Sequence, residues 1–167
     1  MDRRLVILGG FAAVLAAIVI VVVVAGGGDD EADGGTATAD PGSKPEIEVP
    51  EGEPPAELVV EDITDGEGEE VEDGDRVGVQ YVGVLFENGR EFDSSWQGDS
   101  PGPPFELTVG AGEVIPGWDE GLQGMKVGGR RRLVIPPGLA YGPEGQPPDI
   151  APNATLVFVI DLVSAPS

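Results

Sequence analysis

The N-terminal part of the chain contains a long apolar stretch. Residues 5–25 carry no charged side chain and consist mostly of Val, Ala, Ile and Leu. A helix of this length can cross the hydrocarbon core of a bilayer, which is about 30 Å thick. Arg3 and Arg4 precede the stretch and acidic residues follow it, a charge order that favours a cytoplasmic N-terminus. We therefore predict a single-pass membrane anchor over residues 1–25, with the rest of the chain exported. A cleaved signal peptide is the alternative, and it would make the remainder a secreted protein.

Residues 26–54 have a different composition, dominated by acidic residues, Gly, Pro, Ala and Thr. The segment has no aromatic and almost no aliphatic side chain, so burial cannot offset the entropy lost on ordering it. Like charges and prolines keep such a chain extended. We predict a disordered acidic linker here, which leads to one domain over residues 55–167.

Beyond residue 55, short apolar runs alternate with turn-forming residues. Apolar and polar positions alternate over Val77–Val82 and Phe105–Val109, which predicts half-buried strands. Residues 155–163 are almost entirely apolar, which predicts a central strand. Pro116 before acidic residues predicts the start of one short helix that ends near Gly124. The pattern predicts an α+β domain in which one helix packs across an antiparallel sheet, with strands near 58–60, 77–82, 105–109, 130–135 and 155–163.

Composition and charge exclude several functions. The chain has 31 acidic and 9 basic residues and a net charge of −22, which makes binding to a nucleic-acid backbone unfavourable. It has no cysteine and no histidine. Disulfides, thiolate nucleophiles and histidine-based triads are therefore excluded. The basic cluster Arg130–Arg132 is expected to pair with acidic neighbours on a strand.

Several segments of the domain resemble one family in both order and spacing. Read along the chain, residues 57–163 are similar to the FKBP-type peptidyl-prolyl cis-trans isomerases. Each segment alone is a weak signal, but their ordered combination is specific. The segments are Val79–Gly83, Glu91–Ser95, Val114–Leu122, Ile135–Gly142 and Pro152–Phe158.

The resemblance implies a fold and a site. The fold is a bent antiparallel sheet of about five strands wrapped around one short helix, with an apolar pocket between them. In the family, the position of Trp118 is the pocket floor and that of Asp93 is on its wall. The N–H of Ile115 and the hydroxyl of Tyr141 correspond to groups that bind carbonyls of the peptide. The catalytic positions are Tyr81, Phe92, Asp93, Ile115, Trp118, Tyr141 and Phe158, and the further substrate-binding positions are Phe105, Val114 and Ile150.

The implied reaction suits this composition. Rotation about a peptide bond has a barrier of about 18–20 kcal/mol, and only X–Pro bonds have nearly balanced cis and trans populations. Because rotation needs no proton transfer, no cofactor, metal, histidine or cysteine is expected. A twisted amide has less charge separation than a planar one, so an apolar cavity favours it. The implied ligands are proline-containing polypeptides and the macrolides that bind the family.

Other interpretations remain open. Taken singly, each aromatic residue is more often a core residue than a functional one. The same fold could serve as a proline-peptide binding module without activity, or as a chaperone that uses exposed apolar surface. The segment Trp96–Pro104 is longer than in short members of the family, which leaves the peptide preference at that edge of the pocket open.

Overall fold

The computed structural model describes residues 42–165. The predicted anchor at residues 1–25, and the predicted linker up to residue 41, lie outside the described residues. Within residues 42–165, no helix has the length and apolar character needed to cross a bilayer.

The described residues form an antiparallel sheet with one short α-helix, as expected. The strand predictions near 77–82, 105–109, 130–135 and 155–163 are confirmed, with small shifts at their ends. In chain order the elements are β1 (Val59–Thr64), β2 (Arg76–Leu85), β3 (Glu91–Ser94), β4 (Trp96–Gln97), β5 (Ser100–Pro101), β6 (Phe105–Thr108), α1 (Pro116–Gly121), β7 (Arg130–Ile135), a 3₁₀ turn (Pro137–Leu139) and β8 (Leu156–Ser164).

The main sheet has six strands because two short strands share one edge of β2. The strand order is β1-β7-β8-β2-β3, and β6 also pairs with β2. Strand β6 pairs with β2 over Arg76–Val79, whereas β3 pairs with it over Val82–Val84. Strands β4 and β5 form a separate small hairpin. The sequence-based strands did not include β3, which has only four residues and no apolar run. The apolar strand β8 is central, as predicted.

The helix lies close to β7 because it carries glycine where the two elements meet. A Cβ atom on Gly117 would lie 2.5 Å from Cγ2 of Ile135, and one on Gly121 would lie 2.7 Å from Leu133. Since α1 has only six residues, it is too short to be stable without this packing. The main core lies between the helix and the sheet and includes Val77, Val79, Leu107, Leu122, Leu133, Ile135, Leu156 and Ile160.

The opposite face of the sheet is also covered, so the prediction that β2 is half-buried is wrong. Val82, Val84 and Phe86 form a second apolar cluster with residues of β4, β7 and β8. Ile47 and Val49 pack against this cluster. They belong to residues 43–49, which we call the N-terminal strap. The expectation that residues 26–54 offer nothing to bury therefore does not hold for these two side chains.

Polar contacts fix the N-terminal strap to the sheet. The carbonyl of Ser43 accepts a 2.8 Å hydrogen bond from Nη2 of Arg130. Arg130 is fully buried and also makes a bidentate ion pair with Asp161, at 2.5 and 2.8 Å. At the edge of the sheet formed by β3, Lys44 pairs with Glu91 at 2.9 Å. A buried guanidinium needs acceptors for its donors, so the Ser43 carbonyl stabilises the folded domain.

The basic cluster on β7 pairs with acidic neighbours, which confirms the interpretation made from the sequence. Arg131 forms an ion pair with Asp62 at 2.5 Å, and Arg132 pairs with Glu61. Both acids lie on β1, in register with the arginines across the β1–β7 ladder. Arg131 and Arg132 therefore join β1 to β7, while Arg130 pairs with Asp161 of β8.

The strap contacts predict a stability effect. Replacing both Ile47 and Val49 by Ala should lower the free energy of unfolding by about 1–3 kcal/mol, because apolar contacts with the second cluster are lost. Glu46→Ala is the matched control, since Glu46 is exposed on the same segment. Urea unfolding followed by tryptophan fluorescence measures both variants. Equal unfolding midpoints for the two would show that the strap does not stabilise the domain.

Candidate active site

Five aromatic rings from five elements meet above the helix. Trp118 of α1 contacts three other rings edge-on, with centroid distances of 5.1 Å to Tyr81, 5.2 Å to Phe158 and 6.1 Å to Phe105. Phe92 completes the cluster through Phe158, at 5.5 Å. Edge-to-face packing of this kind stabilises aromatic pairs beyond simple burial. The sequence nominated six aromatic residues. Five of them, on β2, β3, β6, α1 and β8, form this cluster, and the sixth is Tyr141.

The aromatic residues of the site differ strongly in their exposure to solvent. Trp118 and Phe158 are each only 4% exposed, whereas Phe105 is 42% and Tyr141 36% exposed. Ile150 is buried beside the same cluster, and Val114 and Ile115 are partly buried against it. The site therefore has a buried base and an exposed aromatic edge, which is the arrangement that a ligand-binding surface of apolar character requires.

The loop before the helix is held by a carboxylate of the helix itself. Asp119 accepts hydrogen bonds from the N–H groups of Gly110, at 2.9 Å, and Gly112, at 3.1 Å. This contact fixes the loop that carries Val114 and Ile115 into the helix. The Ile115 carbonyl accepts from the helix, but its N–H donates to no acceptor among the described residues.

Asp93 is held at the side of the cluster. Its Oδ2 accepts a 2.8 Å hydrogen bond from the Tyr81 hydroxyl, and its Oδ1 accepts one from the N–H of Ser94. Burial, followed by the hydrogen bond to Asp93, raises the pKa of the Tyr81 hydroxyl well above its usual value. Burial and the nearby Asp93 charge also raise the pKa of Tyr141. Both hydroxyls therefore keep their protons at neutral pH and can donate hydrogen bonds.

Besides the Ile115 N–H, two more donors of the site have no protein acceptor in the described part of the chain. The Tyr141 hydroxyl makes no hydrogen bond there, and the buried indole N–H of Trp118 has no partner. A buried donor without a partner costs about 1–3 kcal/mol unless a ligand or water accepts from it. Core packing, ring contacts and the Tyr81–Asp93 hydrogen bond join nine of the ten residues nominated from the sequence, and Tyr141 lies close enough to Asp93 for its charge to raise the Tyr141 pKa.

Sequence reasoning did not identify Gly83 as part of this site. A Cβ atom at Gly83 would lie 2.6 Å from Cε1 of Phe158 and 2.8 Å from Cζ of Phe92. The glycine on β2 therefore leaves the space that these two rings occupy. Gly83 is part of the Val79–Gly83 segment quoted for the resemblance, but close approach of two distant rings has no signal in a single sequence.

A groove elsewhere in the domain is separate from the aromatic cluster. It has a volume of about 780 Å³ and lies between residues 47–54, the β2–β3 turn and the loop before β8. None of the ten nominated residues lines it. Its size therefore has no bearing on the candidate site.

Comparisons with known proteins identify the family. Residues 67–163 match the model of the FKBP-type peptidyl-prolyl cis-trans isomerases. An FK506-binding protein of Streptomyces anulatus is 54% identical over 72% of this chain and 96% of its own length. A probable FK506-binding protein of Corynebacterium glutamicum is 53% identical over 73% of this chain and 98% of its own. The crystal structure of AtFKBP13 superposes with a TM-score of 0.59 and 38% identity, covering 65% of this chain and 93% of that one.

The chain therefore belongs to the FKBP-type peptidyl-prolyl cis-trans isomerase family. The prediction of the isomerase class made from the sequence motifs is confirmed, and so is the fold of the domain.

The space at Gly83 predicts a loss of activity on substitution. Gly83→Ala should displace the Phe92 and Phe158 rings and cost about 1–3 kcal/mol of stability. We expect kcat/KM for an X–Pro peptide to fall by about tenfold, since small displacements at a site weaken catalysis strongly. Gly138→Ala is the matched control, because a Cβ atom there meets nothing within 4 Å. If folded Gly83→Ala protein kept kcat/KM within about twofold of wild type, the space would not be needed for activity.

Proposed function

We propose that the aromatic cluster binds proline-containing polypeptides and accelerates rotation of the X–Pro bond. The observation that supports this most strongly is that the buried Trp118 indole lies next to an exposed aromatic ring. The indole is buried against three rings, while Phe105 of the same cluster is exposed and Tyr141 lies near Asp93. A proline ring is apolar and compact, so it can replace water at the exposed edge and pack on these faces.

The mechanism we propose needs no covalent or acid–base step. The planar amide owes its barrier to resonance, which separates charge between nitrogen and oxygen. Twisting the bond removes this charge separation, and apolar rings stabilise the twisted state relative to the planar one. We propose that the N–H of Ile115 and the hydroxyl of Tyr141 bind carbonyls of the peptide, which would hold the chain while the bond rotates. A decrease of about 5–8 kcal/mol in the barrier corresponds to about 10⁴–10⁶-fold acceleration.

We also propose where the activity is used. The apolar stretch at residues 5–25 and its flanking charges support a membrane anchor with the isomerase domain outside the cytoplasm. The substrates would then be exported proteins whose folding waits on slow X–Pro isomerisation. The relatives are named FK506-binding proteins, and we propose that macrolides of this type compete with peptides for the aromatic cluster.

A direct assay tests the proposed activity. The full chain should accelerate the cis-to-trans change of a Leu-Pro tetrapeptide, and an FK506-type macrolide should block the acceleration. Tyr141→Phe should lower kcat/KM by about two- to tenfold, which is the effect expected from the loss of one hydrogen bond. Ser164→Ala, which removes an exposed hydroxyl at the end of β8, is the control and should have no effect. Peptide binding without acceleration would instead identify a binding module without activity.

A further inference from the structure

We propose that Asp93 selects substrates that carry a lysine or arginine next to the proline. The inference rests on the proposed function, because it concerns which peptides the same site prefers. It follows from an imbalance of charge: a fixed carboxylate stands at the edge of the aromatic cluster, and the described protein supplies no cation to it.

Six of the seven cationic side chains in residues 42–165 are engaged elsewhere, and the seventh, Lys126, lies between α1 and β7 on a segment bridged to Glu70. The ion pairs join Lys44 to Glu91, Arg76 to Glu106, Arg130 to Asp161, Arg131 to Asp62 and Arg132 to Glu61. Arg90 donates to the carbonyl of Asp149. Among residues 42–165, no Lys or Arg lies within ion-pair distance of Asp93. The two cations next to β3 are Lys44, which is paired with Glu91, and Arg90, which donates to Asp149.

The two hydrogen bonds that Asp93 accepts fix its position without neutralising it. They come from the Tyr81 hydroxyl and the N–H of Ser94, one to each oxygen. A carboxylate has about four lone-pair sites, so each oxygen can accept a further hydrogen bond. Because Asp93 is exposed, a side chain of a bound peptide can reach it. An ammonium or guanidinium group is the natural partner for the remaining lone pairs.

The surroundings strengthen the preference for a cation. The chain has a net charge of −22, so its field attracts cationic peptides and repels anionic ones. Exposed ion pairs are weak, so we expect a preference of about two- to fivefold, which salt should reduce.

Peptide series with the full chain test this preference. One series has the form Ala-X-Pro-Phe and the other Ala-Leu-Pro-X, with X as Lys, Gln or Glu. In at least one series kcat/KM should decrease in the order Lys, Gln, Glu, and the ratio of Lys to Gln should be about two- to fivefold. In 0.5 M salt the ratio should approach one. The comparison of Lys with Gln keeps side-chain length similar, so size does not explain the difference.

Two variants distinguish the effect of Asp93 on the Lys-to-Gln ratio from the effect of the net charge of the protein. Asp93→Asn keeps the shape of the side chain and should bring the Lys-to-Gln ratio to about one, whatever it does to absolute activity. Glu57→Gln removes the same charge from an exposed position before β1, at the other edge of the sheet from β3, and should leave the ratio unchanged.

Each outcome has a definite meaning. Equal rates for Lys and Gln peptides in both wild-type series would overturn the inference, and so would a ratio that Asp93→Asn and Glu57→Gln change equally. A Leu-Pro peptide measured in the same experiment distinguishes failure of the Asp93 inference from failure of the proposed function. If the Leu-Pro peptide is accelerated and the ratio is one, only the inference about Asp93 fails. If the Leu-Pro peptide is not accelerated, the proposed function itself fails.

Discussion

The close approach of the helix to the sheet is the constraint on which the rest of the site depends. Gly117 and Gly121 let the helix backbone rest directly on Ile135 and Leu133. That contact determines how near the Trp118 indole lies to Tyr81, Phe105 and Phe158. A larger residue at either glycine would push the helix, and the base of the site with it, away from the rings of the sheet. The same principle acts on the other side of the cluster, where Gly83 leaves room for Phe92 and Phe158.

Both faces of the sheet are covered by packed side chains. On one face the helix and the main core lie against the strands. On the other face the N-terminal strap covers the second apolar cluster and provides an acceptor for the buried Arg130. The domain therefore includes residues that the sequence assigned to a linker. Strand β3 carries Phe92 and Asp93 and is also held by the strap, through Glu91 and Lys44.

The sequence predicted the elements that have strong patterns of their own. Strand β8 was visible because it is almost wholly apolar, and α1 because proline and acids mark its start. The site residues were found through ordered motifs rather than through any single residue. Strand β3 and the strap were missed for a common reason. Each has few apolar residues, and each is ordered by a surface formed by residues far away in the chain. Gly83 and Asp119 were missed because a steric gap and a loop-to-helix hydrogen bond exist only in three dimensions.

The central claim is that an apolar, aromatic site lowers the rotation barrier without proton transfer. It is tested most directly by measuring kcat/KM for a Leu-Pro peptide from pH 6 to 9, in H₂O and in D₂O, without a coupling protease. The chain has no histidine or cysteine, and the pKa values of Tyr81 and Tyr141 are raised from values already near 10. We predict that kcat/KM changes by less than about twofold with pH or with solvent isotope. A bell-shaped pH profile, or a rate several-fold slower in D₂O, would contradict the account.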